Sequence, residues 1–143
     1  MITLLQRVCS SRIEIENQTV AEISRGILVF VGVQAEDDIH TAKTIATRII
    51  NYRIFPDEDD KMNLSLLDIH GDLLLVPQFT LAADTNRGRR PSFTSAAPPE
   101  HGEKIFNLVV EAAGNQYNKV QLGIFAADMK VHLVNDGPVT FIL

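Results

Sequence analysis

The sequence predicts an α+β fold in a single domain over residues 1–143, a mostly antiparallel or mixed β-sheet or small barrel packed with about two α-helices. Three observations carry that expectation. Apolar residues recur at helical spacing in two stretches, one opening at Asp37 and one at Pro98. Around them lie short runs that alternate or are continuously apolar, as strands do. A chain of 143 residues with 45% hydrophobic and 22% charged positions is long enough and apolar enough to bury one core.

Taken in order, Ile2 to Cys9 reads as a first strand. Arg12 to Glu16 alternates cleanly with Ile13 and Ile15 on one face, Asn17-Gln18 makes a turn, and Thr19 to Ile23 returns as the hairpin partner. Gly26 opens a continuous apolar run, Ile27 to Val33, that suits a strand buried on both faces. Asp37-Asp38 starts a helix, because acidic residues favour the positive end of the helix dipole. Ile39, Ala42, Ile45, Ala46, Ile49 and Ile50 form its buried face, and it ends near Tyr52 ahead of Pro56.

Asp57 to Asp60 is an acidic loop without the glycine and distal glutamate of a calcium loop. Lys61 to Leu66 reads as a short edge strand or turn, and Leu73 to Val76 as a buried strand that should break at Pro77, which has no N–H to give the ladder. Residues 82–97 show no periodicity, and an irregular stretch of that length in a compact domain is more often functional than decorative. Pro98-Pro99-Glu100 opens the second helix, with Ile105, Leu108, Val109, Ala112 and Ala113 as its stripe and Gly114 as its stop. Lys119 to Phe125 and Met129 to Val134 are two more strands, and Asn135 to Pro138 is a polar turn before a last apolar run.

Bulk properties narrow the function. A net charge of −5 argues against a general nucleic-acid coat protein but leaves room for a local basic patch, and Arg87, Arg89 and Arg90 form the one dense basic cluster. With one cysteine and four histidines at no metal-ligand spacing, neither a zinc site nor a disulfide framework is expected. No run approaches the roughly 18 apolar residues that cross a bilayer, and the opening residues lack the pattern of a signal peptide, so a cytoplasmic protein without a membrane partner is expected.

A hydrolase needs a nucleophile or water, a group to take its proton, and donors for the developing oxyanion. The sequence has no G-x-S-x-G elbow or H-E-x-x-H pair, and no base lies near Thr80 in sequence. What it does offer is a strand interrupted by proline, where the N–H groups of Phe79, Thr80 and Leu81 are left without ladder partners and can act as an oxyanion hole.

The segments LVPQFTLAADTNRGRRPSF (Leu75 to Phe93), GIFAADMKV (Gly123 to Val131) and VNDGPVTF (Val134 to Phe141) closely resemble the D-aminoacyl-tRNA deacylases, and LLQRV (Leu4 to Val8), NYRIF (Asn51 to Phe55) and KMN (Lys61 to Asn63) match as well. The resemblance implies a homodimeric hydrolase, without metal or cofactor, that cleaves the ester between a D-amino acid and the terminal adenosine of tRNA. It implies that misattached glycine is removed too, with L-aminoacyl-tRNA rejected. Carried onto this chain, Gln78, Phe79 and Thr80 line the reaction centre, mainly through backbone groups. Gly137 and Pro138, in cis, enter the partner subunit's pocket as a chirality gate, and Phe125, Ala126 and Met129 neighbour the adenosine. The reaction is implied to use main-chain groups and the substrate's own ribose 2′-OH. The chain departs from the pattern at Pro77, where the family usually has serine. Arg87, Arg89 and Arg90 are either contacts to tRNA phosphates at the acceptor end or a solvated loop. Two other readings stay open, a non-catalytic binder of the tRNA 3′ end and a Thr80-dependent hydrolase of small esters or amides.

Overall fold

The computed structural model describes residues 1–86 and 88–143. Strand β1 (Ile2–Ile15) pairs along one edge with β3 (Gly26–Gly32) and, further on, with β2 (Gln18–Ile23), all antiparallel. The two strands expected at Ile2 to Cys9 and Arg12 to Glu16 are therefore one. The polar residues Cys9 and Ser10 interrupt the apolar pattern, but the chain runs on through them with an irregularity against its neighbour. The hairpin turn is Glu16-Asn17, one residue earlier than expected, with φ of 50° and 64°. That pair of positive φ values matches the twist of the flanking strands.

Helix α1 (Ile39–Asn51) is capped by Asp38, whose Oδ1 accepts the Thr41 N–H at 2.8 Å. Its apolar stripe faces the sheet except for Ile39, which is 52% exposed rather than on the buried face. Asp37 lies outside the helix and is buried, holding the Met1 ammonium at 2.6 Å. Strands β4 (Phe55–Pro56) and β5 (Met62–Leu64) form a small hairpin. The short strand expected within Lys61 to Leu66 is β5, and a third helix beyond the two expected, α2 (Leu66–Ile69), follows it, started by a reciprocal cap between Ser65 and Asp68.

Strand β6 (Asp72–Pro77) runs parallel to β3, α3 (Pro99–Gly114) crosses back, and β7 (Val120–Leu122) adds parallel to β6. The order β2-β1-β3-β6-β7, with β8 (Lys130–Ile142) on the other edge of β1, makes a mixed and nearly barrel-shaped sheet. Successive β3 and β6 residues bury opposite faces: Ile27, Val29, Leu73 and Leu75 pack with α1 and α3, while Leu28, Leu74 and Val76 join Val8, Ile13 and Ile23 on the other side. Those two filled faces explain why both strands read as unbroken apolar runs.

Strand β8 carries the main topological surprise. Gln6 pairs with Thr140 and Val8 with Asn135, so Asp136 to Val139 bulge out of one continuous strand instead of reversing the chain. Among the described residues, no helix is long and apolar enough to cross a membrane.

Candidate active site

A tight turn begins where β6 stops. The Gln78 N–H donates to Val31 O at 2.8 Å, and the chain then winds into a 3-10 turn over Phe79–Ala82. The turn presses on β3 at Gly32, where a Cβ would come within 2.8 Å of the Leu81 Cβ and 3.1 Å of Gln78 O. Only glycine leaves room for that approach. Leu81 does not share the expected role of a free donor, because its N–H is taken by Gln78 O at 3.2 Å. The N–H groups of Phe79 and Thr80 have no hydrogen-bond acceptor among the described residues. Two adjacent donors at a strand end are a suitable cradle for a developing oxyanion.

The Thr80 hydroxyl oxygen accepts a hydrogen bond from the Gln78 side-chain amide, and Thr80 is exposed. An amide donor beside a hydroxyl draws electron density away from it and takes no proton, which is the reverse of what a nucleophile needs. Pro77, half-buried, ends the ladder opposite Val31 and supplies an apolar wall to the cavity beside the turn.

Beside this turn lies a cavity of about 730 Å³, within the range that holds a small ligand. Its lining joins Gln78 and Phe79 to Phe125, Ala126 and Met129, residues 46 or more positions apart in sequence (125 − 79 = 46). Val31, Val33 and Val76 form its floor, and Gln78 and Asp128 are its only polar side chains among the described residues. The far wall is a tight turn. The Gly123 N–H donates to Leu75 O at 2.8 Å, stitching the chain beside β6, and the Ala127 N–H closes on Ile124 O at 3.3 Å. Ala126 adopts φ 60° in that turn. The Phe125 ring lies over α3 at Gly102, where an added Cβ would be 3.5 Å away. Phe93, Pro98, Gly102 and Asp128 also line the cavity, and no spacing in the sequence marked them.

Gly137 and Pro138 are not among the lining residues of that cavity. Both are exposed on the β8 bulge, and the peptide bond between them is cis. The bulge is closed by Asn135, whose Oδ1 accepts the Val139 N–H at 2.7 Å while its Nδ2 reaches Val139 O at 3.3 Å. Arg7, buried under the bulge, donates from Nη1 to Ile54 O at 2.7 Å and from Nε to Asp136 O at 3.1 Å. At Gly137, φ is 137° and a Cβ would stand 2.6 Å from Val139 Cγ2. Neither Arg7 nor Asn135 was singled out from the sequence, although a charged residue inside the apolar β1 pattern was a signal for the first.

Arg89 and Arg90 are exposed near the tip of a loop whose neck is tied by paired hydrogen bonds between Asp84 and Ser92, at 2.8 and 3.0 Å. Arg87, the third residue of the basic cluster, lies outside the described residues.

Comparison with known proteins places the chain. The family model described as D-Tyr-tRNA(Tyr) deacylase matches residues 4–143. A D-aminoacyl-tRNA deacylase of Pseudomonas aeruginosa is 54% identical over 143 residues, covering 100% of this chain and 99% of that protein. One of Francisella tularensis subsp. tularensis is 52% identical over 141 residues, covering 99% and 97%. Among solved structures, the c-Myc DNA Unwinding Element Binding Protein superposes with a TM-score of 0.95 at 34% identity, covering 100% of this chain and 97% of that one. A probable eukaryotic D-amino acid tRNA deacylase shares the fold at a TM-score of 0.81 and 17% identity, covering 99% and 97%. A match over nearly the whole chain, with the cavity and bulge built from the motifs that carry it, shows that this chain belongs to the D-Tyr-tRNA(Tyr) deacylase family.

Proposed function

We propose that this chain hydrolyses the ester between a D-amino acid and the 3′-terminal adenosine of tRNA in the cytoplasm, releasing free D-amino acid and tRNA. One observation carries the reading: a single cavity is lined by Gln78 and by Phe79, whose N–H is unpartnered, and by Phe125, Ala126 and Met129, with the second unpartnered N–H on Thr80, the next residue along, outside that lining. The terminal nucleoside occupies the apolar wall, and the ester carbonyl sits against the Phe79 and Thr80 donors. Water adds to that carbonyl, and the oxyanion charge falls on the two N–H groups. Collapse breaks the bond to the ribose oxygen, which takes up the proton the water gives away. The substrate's ribose 2′-OH assists the proton transfer, since among the described residues the Thr80 hydroxyl is hydrogen-bonded by the Gln78 amide and by no side-chain base.

In this reading the protein works as a homodimer, and the Gly137-Pro138 bulge of one subunit enters the cavity of the other. Support comes from two sides. The bulge is absent from the lining of its own cavity, and Leu122, Ile124, Val134 and Ile142 are large apolar residues left 44% to 71% exposed, a surface that a second copy would cover. A backbone wedge rejects an L side chain by leaving it no space, and needs no contact with each different D side chain. Glycine has no side chain to reject, so glycyl-tRNA is a substrate as well. Arg89 and Arg90 engage acceptor-end phosphates, and changing both to Gln flattens the salt dependence of KM.

The test is to incubate D-Tyr-tRNA, L-Tyr-tRNA and Gly-tRNA with the protein in the presence of a chelator. Loss of the D and glycyl esters alone is expected. No turnover at unchanged tRNA affinity would make it a binder of the 3′ end. Thr80→Ala is expected to keep activity within about tenfold, whereas a Thr-dependent hydrolase would lose the 10²-fold or more that nucleophile activation supplies.

A further inference from the structure

We infer that the rings of Phe79 and Phe93 form a stacking subsite for the nucleobase next to the terminal adenosine, the penultimate cytidine of a tRNA 3′ end. The inference rests on the cavity taking the terminal nucleoside, and it adds a second site for the same strand. Phe79 is 57% and Phe93 43% exposed, the two largest apolar surfaces facing outward at this end of the cavity. Their centroids are 5.2 Å apart with the rings tilted by 56°. Two exposed aromatic rings held together on the lining of one cavity offer a planar apolar face on which a base can stack.

Three features point to a base. A strand whose last nucleoside fills the cavity must leave through the mouth, so its next base passes the rim that these residues line. Arg89 and Arg90 precede Phe93 by four and three residues (93 − 89 = 4; 93 − 90 = 3), bringing positive charge to the same loop of a chain whose net charge is −5. Cationic side chains beside aromatic rings are the usual means of gripping a single strand, with backbone and bases held separately. Phe93 is also fixed, not on a free tip. Its neighbour Ser92 is paired with Asp84, its own carbonyl accepts the Ala96 N–H at 3.1 Å, and Ser95 Oγ donates to Ala82 O at the end of the reaction turn. Phe79 belongs to that same turn, so a base stacked here would bridge the anchoring loop and the reaction centre.

The experiment compares D-Tyr-tRNA with the same tRNA carrying an abasic residue at the penultimate position, using the wild-type protein and Phe93→Ala. For the wild type, kcat/KM falls about tenfold on removal of the base, on the scale of one base–aromatic stack, with the change in KM. In Phe93→Ala the ratio between the two substrates drops towards one. Equal rates on the two tRNAs with wild-type protein overturn the subsite, and this arm needs no variant to fold. An undiminished ratio in Phe93→Ala overturns the role of that ring. If Phe93→Ala instead sediments as a smaller species and loses rate equally on both tRNAs, the rings belong to a subunit contact and the subsite is wrong. Failure of the underlying reading is distinct, since intact D-Tyr-tRNA would then not be hydrolysed at all.

Discussion

Arg7 Nε lies 3.1 Å from both the carbonyl oxygen and the carboxylate of Asp136, the residue before the Gly137-Pro138 pair. The same guanidinium reaches Ile54 O through Nη1. A planar fork thus ties the base of the β8 bulge to the segment after α1 from a nearly buried position, which lysine with one nitrogen cannot reproduce. Arg7→Ala should lower unfolding free energy by about 2 to 3 kcal/mol, less than for a fully buried pair because Asp136 is 38% exposed. Arg7→Lys should recover only part of it. Urea denaturation measures both, and a loss below about 0.5 kcal/mol for Arg7→Ala would place the brace among ordinary surface pairs.

Ala126 sits at φ 60° in the turn that walls the cavity. A residue with a Cβ pays roughly 1 kcal/mol there, part of which Gly returns as backbone entropy in the unfolded chain. Ala126→Gly should therefore raise the unfolding free energy by a small amount, up to about 1 kcal/mol, moving the urea midpoint upward, and Ala126→Val should lower it by at least as much. A midpoint unmoved by both would mean the turn relaxes freely.

Acid should weaken the fold through four carboxylates whose pKa values are lowered. The Arg12 hydrogen bond, then that of His132, lowers Glu14; the Thr41 N–H lowers Asp38; the Asn63 amide lowers Asp57; and the Ser65 hydroxyl lowers Asp68. Each folded-state pKa lies below its unfolded value, so the unfolded chain takes up protons first as pH falls. The stability these groups confer is complete above their ordinary range of about 4 and is lost as pH drops through the depressed values. Urea midpoints should fall between pH 5 and 3. Replacing both helix caps, Asp38 and Asp68, by Ala should lower the midpoint at pH 7 and flatten that acid slope. Tyr117 acts at the other end: burial, then Asp72, raises its pKa, so its contribution is present below pH 10 and lost as pH climbs through the raised value.

The sequence was legible where one period ruled a whole element. β3 and β6 read as double-faced strands because both faces are filled, and α1 read correctly from Ala42 to Ile50 because its stripe meets one sheet. It misled where local and distant demands differ. Asn135 to Pro138 has the composition of a reversing turn, and only pairing with β1 on both sides makes it a bulge. α2 is four residues long, too short for periodicity, although its Ser65–Asp68 cap was visible. At the site, the motifs named Gln78, Phe79, Phe125, Ala126 and Met129, which one cavity unites. Arg7 escaped notice because its partners Ile54 and Asp136 are 47 and 129 residues away.

That separation between bulge and cavity gives the sharpest test of the dimer. Gly137→Ala puts a Cβ 2.6 Å from Val139 Cγ2 at φ 137°, so it should deform the bulge while leaving its own subunit's cavity intact. Gly32→Ala should spoil the turn over Phe79–Ala82, because its Cβ would stand 2.8 Å from the Leu81 Cβ and 3.1 Å from Gln78 O, while leaving the bulge intact. Alone, each variant should be poor at hydrolysing D-Tyr-tRNA. Mixed after denaturation and refolding, a heterodimer would bring the sound bulge of one chain to the sound cavity of the other, making one of its two sites complete. Random pairing makes half the dimers mixed, so about a quarter of wild-type activity should return. A gate acting within its own subunit predicts instead that the mixture stays at the average of its two parents, because every chain still carries one broken part.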